Sequence, residues 1–227
     1  SEKPTGEISA GAGLGTNGGS LAFNVRENNW LGQGKRVGLD FELSTTSLKG
    51  EISYTNPNYD LLGNSLTYNL SNVTNDKPDQ GYKNSLITTG VSTTFEQYKN
   101  IYASLGINAS YDDLSTTSSA SKALKKQSGE YSELSGVYGF RYDQRDRTFM
   151  PTAGSIIGFH QTLPIFADKP FIGNTVNAST YHTFNENIIG AGKFFITAIN
   201  GLNDEDVRIS KRKSLSSRRL RGFEQGK

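Results

Sequence analysis

The sequence contains no cysteine and very little histidine, methionine or tryptophan: two His, one Met and one Trp among 227 residues. Without cysteine the chain has neither a disulfide framework nor thiolate chemistry. Long apolar runs are absent as well. The longest, FFITAI at 194–199, is far shorter than the roughly 20 residues that a membrane helix needs. The opening SEKPTGE also lacks the apolar stretch of a signal peptide.

The composition that remains is typical of strands and turns. Charged residues make up 20% of the chain and the net charge is +2, so the sequence is not that of a charge-swollen disordered protein. Glycine (25), phenylalanine (12) and tyrosine (11) are abundant. Aromatic and β-branched residues favour strands, whereas glycine and asparagine favour tight turns. The mean hydropathy of −0.53 still allows a membrane β-barrel, because alternating strands average to a polar value.

Apolar and polar residues alternate with a period of two along most of the chain. In KRVGLDFELS, Leu39 and Phe41 share one side of a strand and Asp40 and Glu42 the other, a pattern that a helix would scatter. The same alternation assigns Leu105, Ile107, Phe140 and Phe159 to apolar faces and Asn108 and Arg141 to polar faces. Eleven strands are predicted, joined as sequential antiparallel hairpins near residues 5–15, 19–27, 35–46, 48–56, 63–72, 83–95, 99–111, 130–143, 155–164, 174–185 and 188–200.

This alternation fits two folds. A soluble antiparallel sandwich would turn its apolar faces inward, whereas a transmembrane barrel would turn them to lipid and its polar faces to a wet lumen. Most predicted strands have about nine to twelve residues, as tilted membrane strands do. Short connections also alternate with longer polar ones at 73–82, at 112–129 and after 200. Strand length, loop asymmetry and the scarcity of lysine on the apolar faces favour the barrel.

Familiar motifs for catalysis or ligand binding do not hold up. Gly13, Gly15 and Gly18 satisfy G-x-G-x-x-G, but a strand follows where the dinucleotide motif needs a helix. His160 and His182 have no cysteine or carboxylate at ligand spacing. The basic residues near the end lack interleaved aromatics and follow the acidic NDED at 203–206, which favours a solvated or lumen-filling loop over a nucleic-acid site; they are Lys211, Arg212, Lys213, Arg218, Arg219 and Arg221. We expect no enzyme activity, cofactor, metal site or nucleic-acid partner.

Three segments, in order and at matching separations, resemble the outer-membrane barrel-assembly superfamily, and within it the bacterial assembly factors. NNWLGQGKRVGLDF (28–41) is similar to that family's first periplasmic turn. YDQRDRTFMPTAGS (142–155) resembles its Y-D-x-R-D…P-T-x-G turn, and LRGF (220–223) resembles the V-R-G-F/Y signature of its sixth extracellular loop. ISYTNPNYDLLG (52–63) would then be the second periplasmic turn.

The resemblance implies an all-β, antiparallel transmembrane β-barrel in the outer membrane of a Gram-negative bacterium. In that family eleven strands precede the sixth loop and five follow it. We therefore expect residues 1–227 to be one partial barrel domain of about eleven strands out of sixteen. A bare sheet edge is not tolerated in lipid, so we expect a fragment whose signal peptide, POTRA domains and last strands lie outside this sequence.

The implied function is non-enzymatic folding and insertion of β-barrel proteins into the outer membrane. Its partners would be unfolded outer-membrane β-barrel proteins, outer-membrane lipids and assembly lipoproteins, the last through POTRA domains. The alternatives are a two-partner secretion pore, another outer-membrane transporter or porin, and, from a different class, a soluble β-sandwich binding module.

Three groups of site residues follow from the resemblance. The loop-six motif is Arg221, Gly222 and Phe223, expected to brace the loop inside the lumen against a carboxylate from strands outside this chain. The charged periplasmic turn consists of Asp143, Arg145, Asp146, Pro151 and Gly154, and we expect charged hydrogen bonds between Asp143, Arg145 and Asp146. The first-strand seam, which would unzip and template an incoming strand, consists of Gly6, Ile8, Ala10, Gly11, Gly13 and Gly15. Alternatively, the glycines of that strand merely relieve crowding in a curved sheet.

Overall fold

A computed structural model describes residues 5–15 and 18–212, which form a single antiparallel sheet. Each strand pairs with the next along the chain. The strands are β1 (Gly6–Gly15), β2 (Gly18–Trp30), β3 (Lys35–Ser44), β4 (Ser47–Asn56), β5 (Ser65–Lys77), β6 (Tyr82–Tyr98), β7 (Ile101–Thr116), β8 (Gly129–Asp143), β9 (Gly154–Ala167), β10 (Phe171–Asn185) and β11 (Ile188–Gly201). The short helices are α1 (Lys122–Lys125) and two 3-10 turns, Pro78–Gln80 and Ile209–Lys211.

The strand count, order and antiparallel pairing predicted from the sequence are confirmed. No helix within the described ranges is long and apolar enough to cross a membrane.

Several strands run further than the sequence indicates. β5 continues to Lys77 and β7 to Thr116, through stretches expected to be loops. The reason is that backbone pairing needs no apolar side chains: Asp76 still pairs with Lys83, and Asp113 with Glu130. The difference in loop length between the two ends of the sheet is therefore smaller than predicted.

The register keeps the apolar residues on one face. Leu39 lies opposite Val25 and Ile52, and Phe140 opposite Phe159. We call this the outer face; many of its large apolar side chains are more than a third exposed, among them Leu39, Phe41, Leu105, Ile107 and Phe140.

The opposite side, the inner face, is polar and curves around a cavity of about 310 Å³ lined by residues of β6 to β11. Asn108 lines this cavity, as the alternation predicts. Further along the same face, Arg141 lies over the ring of Tyr102, with 4.6 Å from its Cζ to the ring centroid. On β3, Asp40 accepts a hydrogen bond from Asn24.

Two β-bulges turn aromatic rings outward. The register shifts between Glu27 and Trp30, so that Trp30 lies opposite Lys35. A second shift places Tyr98 opposite Ile101. Because a bulge inserts one extra residue, Trp30 and Tyr98 point to the outer face instead of the inner face that strict alternation would give them. Both rings are exposed there.

The interior of the molecule is polar. Only four apolar residues are buried among the described ranges, Ala103, Leu114, Ala120 and Leu124, whereas Asn84, Asp112, Glu133, Ser135 and Arg208 are buried as well. A soluble sandwich would bury its large apolar side chains between two sheets. Here those side chains lie on the exposed outer face, so the arrangement contradicts the sandwich alternative.

Candidate functional site: an open first strand, a charged turn and an inner ion cluster

The predicted first-strand seam forms one continuous edge strand. β1 pairs with β2 from Gly6 opposite Glu27 to Gly15 opposite Gly18, and its other edge has no partner within residues 5–15 and 18–212. Ile8 and Ala10 carry the outer face, and Ile8 is 75% exposed. A row of unpaired backbone donors and acceptors is therefore available to another strand.

Crowding does not explain the glycine at position 11. A Cβ added at Gly11 would meet nothing within 4 Å, and the residue is not among the glycines with positive φ. At Gly13 the nearest atom would be the Ser20 Oγ at 3.2 Å, and at Gly6 the Glu27 Oε2 at 3.0 Å; both are movable side-chain ends. What Gly11 does change is the entropy cost of ordering the strand, which weakens β1.

The charged turn between β8 and β9 begins with an ion pair between close neighbours in sequence. Arg145 donates from Nε to Asp143 Oδ1 and from Nη2 to Asp143 Oδ2, each at 2.8 Å. Two parallel bonds of this kind fix the orientation of both groups. The Asp143 amide in turn donates to the Asn100 carbonyl at 3.0 Å, so the pair sits against the neighbouring β6–β7 turn.

Asp146 differs from the prediction, which placed it in the same charged hydrogen-bond network as Arg145. Its carboxylate accepts bonds from the Thr152 hydroxyl at 2.6 Å, the Thr152 amide at 2.9 Å and the Ala153 amide at 3.1 Å. The hydroxyl bond first, and then the amide bonds, lower the pKa of Asp146 from 3.8 to about 2. These hydrogen bonds thus tie Asp146 to the part of the turn that leads into the next strand, β9.

Gly154 marks the point where the turn enters β9. Its φ is +91°, and an added Cβ would overlap the carbonyl oxygen of Gln144. Pro151 lies between Asp146 and Gly154, in the stretch that the hydrogen bond from Thr152 to Asp146 closes. The turn therefore requires glycine at 154 for both conformation and space.

The most deeply buried charges form a cluster that sequence reasoning missed. We call Arg208, Lys211, Asp112 and Glu133 the inner ion cluster. Arg208 lies 3.3 Å from Asp112 (Nη1 to Oδ2) and 3.5 Å from Glu133 (Nη2 to Oε2), and Lys211 Nζ lies 3.1 Å from Glu133 Oε2. The side chains of Arg208, Asp112 and Glu133 are at most 4% exposed. Two cations and two anions balance each other, as burial of charge requires.

Polar and aromatic neighbours complete the cluster. Asp112 also accepts bonds from Ser210 and Asn84. The Arg208 guanidinium lies over the Tyr131 ring, 4.4 Å from its centroid, and the Ile209 amide donates to Gln127 Oε1 at 2.9 Å. The segment at 207–212 is thus held on the inner face. Of the two alternatives for this part of the basic stretch, a solvated loop and a lumen-filling loop, its position agrees with the second.

The cluster escapes a reading of the sequence because its members are far apart in the chain. Arg208 is separated from Asp112 by 96 positions and from Glu133 by 75. One signal was available: Asp112 and Glu133 fall at the polar positions of β7 and β8. Alternation could therefore place both carboxylates inside, but nothing local indicates which cation they meet.

The loop-six motif and the two histidines remain to be placed. Arg221, Gly222 and Phe223 lie outside the described residues. His160 lines the inner cavity opposite Thr175, whereas His182 lies seven residues further along β10 on the other face, beside the Phe184 ring. The two histidines therefore do not meet, and no cluster of three or more His, Asp or Glu that could hold a metal occurs among the described residues.

Comparison with known proteins agrees with this architecture. The model of the Omp85 superfamily domain matches residues 29–227. The fold is similar to the crystal structure of BamA from Haemophilus ducreyi lacking POTRA domains 1-3, with a TM-score of 0.80 and 23% sequence identity. The similarity covers 94% of this chain and 44% of that one. The described sheet therefore has the fold of an incomplete BamA-type barrel and spans less than half of the length of that protein.

Proposed function

The chain belongs to the Omp85 superfamily of outer-membrane insertion and transport proteins, and we propose that it is part of a protein that folds and inserts β-barrel proteins into the bacterial outer membrane. The role requires no covalent chemistry. It requires a membrane-embedded sheet with an edge on which the strands of a client protein can pair.

The observation that carries the proposal is the state of β1. It is a ten-residue strand at the end of the described sheet, with a glycine at position 11 that sterics within that sheet do not demand. Glycine raises the entropy cost of ordering a strand, so β1 is easier to release from a neighbouring strand than a strand without such a glycine. A weakly held strand at the end of the sheet supports a role as a template for an incoming strand.

The outer face supports integration into the outer membrane. The aliphatic side chains of this face are bordered at one end of the strands by a row of aromatic residues: Trp30, Tyr54, Tyr68, Tyr98 and Tyr142. Rings of this kind sit at the membrane–water interface of transmembrane barrels. At the other end the outer face of β7 and β8 becomes charged, with Asp113 opposite Glu130. The hydrocarbon region lies between these two levels, and the inner ion cluster lies near the charged one.

The partners proposed with this function are unfolded outer-membrane β-barrel proteins and the surrounding outer-membrane lipids. Assembly lipoproteins would bind through POTRA domains outside this sequence. No cofactor enters the mechanism, because strand exchange exchanges one set of backbone hydrogen bonds for another.

The test is cysteine cross-linking of a client barrel to β1 in the complete protein, reconstituted in liposomes. Ala10→Cys places a thiol on the free edge strand, and Ala109→Cys places one on β7, which is paired on both sides. Both alanines are exposed on the outer face, so they form a matched pair. A client carrying a cysteine in its last strand should cross-link during insertion to position 10 and not to position 109.

Equal cross-linking at the two positions would contradict pairing at the edge. Protease protection of the client distinguishes insertion from secretion. An inserted client remains in the membrane fraction as a folded barrel, whereas an exported client is released on the far side of the membrane. Release of soluble client would favour the secretion pore.

A further inference from the structure

We propose that Arg208 is a positioning residue that, with Asp112 and Glu133, anchors the segment following β11 to the inner face of β7 and β8. The anchor itself is a property of the described sheet. It does not depend on the function proposed above.

The segment crosses the inner face in two steps. Directly after β11, the Leu202 amide donates to the Pro170 carbonyl at 2.9 Å, and Glu205 pairs with Lys169 at 2.9 Å. Both contacts are made to the β9–β10 loop. The chain then reaches the inner ion cluster on β7 and β8, so β9 and β10 lie between the strand it leaves and the strands to which it is anchored.

The contact with the inner ion cluster is stronger than the contact with the β9–β10 loop, because its side chains are more deeply buried and make more bonds. The Lys169–Glu205 pair is 28% and 46% exposed, and exposed pairs contribute little. Arg208 and Asp112 are nearly inaccessible, at 2% and 1%. Once buried, neither charge can lose its partner without remaining unpaired in a poorly solvated site. The segment therefore stays in place as long as the cluster is intact.

The anchor lies before the predicted loop-six motif in the sequence, with nine positions between Arg212 and Arg221. The carboxylates that hold Arg208 belong to β7 and β8 of the described sheet. We therefore infer that the anchor holds without Arg221.

Cross-linking inside the complete protein tests the anchor without any measure of insertion. Gln127→Cys with Ile209→Cys, joined by a short bis-thiol reagent, reports the position of the segment, since Ile209 N and Gln127 Oε1 are 2.9 Å apart. The sequence given has no cysteine of its own to interfere. Thr175→Cys with Thr197→Cys, whose hydroxyls are 3.2 Å apart across β10 and β11, reports the integrity of the wall.

Arg208→Gln should lower the 127–209 cross-link at least fivefold and leave the 175–197 cross-link unchanged. The charge swap Arg208→Asp with Asp112→Arg keeps the cluster neutral and should restore at least half of the lost cross-link. Arg221→Ala should change neither cross-link. If Arg208→Gln also lowers the 175–197 cross-link, the nearly isosteric Asp112→Asn is measured instead. This variant should lower the 127–209 cross-link and leave the 175–197 cross-link unchanged.

A wild-type 127–209 cross-link in Arg208→Gln would overturn the anchor. Loss of that cross-link in Arg221→Ala would overturn its independence from the motif. Neither readout requires client insertion, so a failure of the anchor and a failure of the proposed function are distinguishable.

Discussion

Asp143 and Arg145 share two parallel hydrogen bonds of 2.8 Å although only one residue separates them. Their side chains are 20% and 15% exposed, so solvent screens the pair only partly. The ion pair ties the end of β8 to the turn that follows. This contact between near neighbours in sequence stabilises the turn locally, without a side chain from a distant strand.

Arg145→Ala should lower the free energy of unfolding by about 1–2 kcal/mol, because it removes two charge-assisted bonds. Urea titration of the folded band in unboiled gel electrophoresis measures the change. Asp143→Ala should cost a similar amount, and the double variant should cost less than the sum of the two. The control is Lys49→Ala, whose 3.0 Å pair with Glu51 is more exposed and should be worth about 0–1 kcal/mol. Full additivity at 143 and 145 would mean that the bonds do not couple.

Asp146 should make stability depend on pH in the acid range. Its pKa in the folded protein is about 2, against 3.8 in the unfolded chain. The folded state therefore favours the ionised form, and this contribution is complete above the unfolded pKa and lost as the pH falls from about 4 to 2. Asp146→Asn mimics the protonated carboxyl. The difference in urea midpoint between wild type and this variant should be constant at neutral pH and shrink below pH 4; a difference that does not vary with pH would contradict the assignment.

Glycine should be required at 154 and dispensable at 11. Gly154→Ala forces a side chain into a positive-φ conformation, which costs about 1–3 kcal/mol, and also places its Cβ against the Gln144 carbonyl. Gly11→Ala meets no atom and should stabilise β1 by up to about 1 kcal/mol. Thermal unfolding in detergent compares the two. Equal destabilisation would indicate that the free space beside Gly11 is filled in the complete protein.

The outer and inner faces should respond differently to charge. Leu105→Arg on the outer face should cost roughly 2–4 kcal/mol if that position lies near the middle of the bilayer. Asn108 lines the polar inner cavity, so Asn108→Arg should cost much less. Refolding titrations into lipid vesicles measure both. Labelling of Phe41→Cys and Asp40→Cys with a membrane-impermeant thiol reagent gives an independent check, since only the cysteine at position 40 should react.

The sequence was sufficient for the architecture because one physical rule governs most of it. A strand that separates lipid from water must alternate, and eleven alternating segments appear as eleven strands in the sheet. The rule fails where the backbone departs from a regular ladder. At Trp30 and Tyr98 a bulge reverses the face that parity predicts, and a bulge depends on the pairing of two strands rather than on either strand alone.

The candidate sites were predictable to different degrees, because local contacts follow from the sequence whereas distant contacts depend on the assembled sheet. The Asp143–Arg145 pair is local, so a turn motif was enough to find it. The contacts of Asp146 with Thr152 and Ala153 are still local, but they depend on the folded path of the turn, and the prediction assigned it a different partner. Arg208 meets Asp112 only after five strands have assembled, and no sequence pattern encodes that meeting.

The balance of charge in the inner ion cluster has a consequence for permeation. Arg208 and Lys211 offset Asp112 and Glu133 at short range, so this part of the lumen presents no ring of a single sign to a passing ion. Channels select between cations and anions chiefly through such rings. The cavity beside the cluster is otherwise lined largely by hydroxyl, amide and apolar groups, among them Asn108, Ser135 and Thr175, but the Arg212 side chain borders it as well. A neutral cluster with one further guanidinium beside it favours anions only weakly, so we expect any selectivity between potassium and chloride at this level to be small.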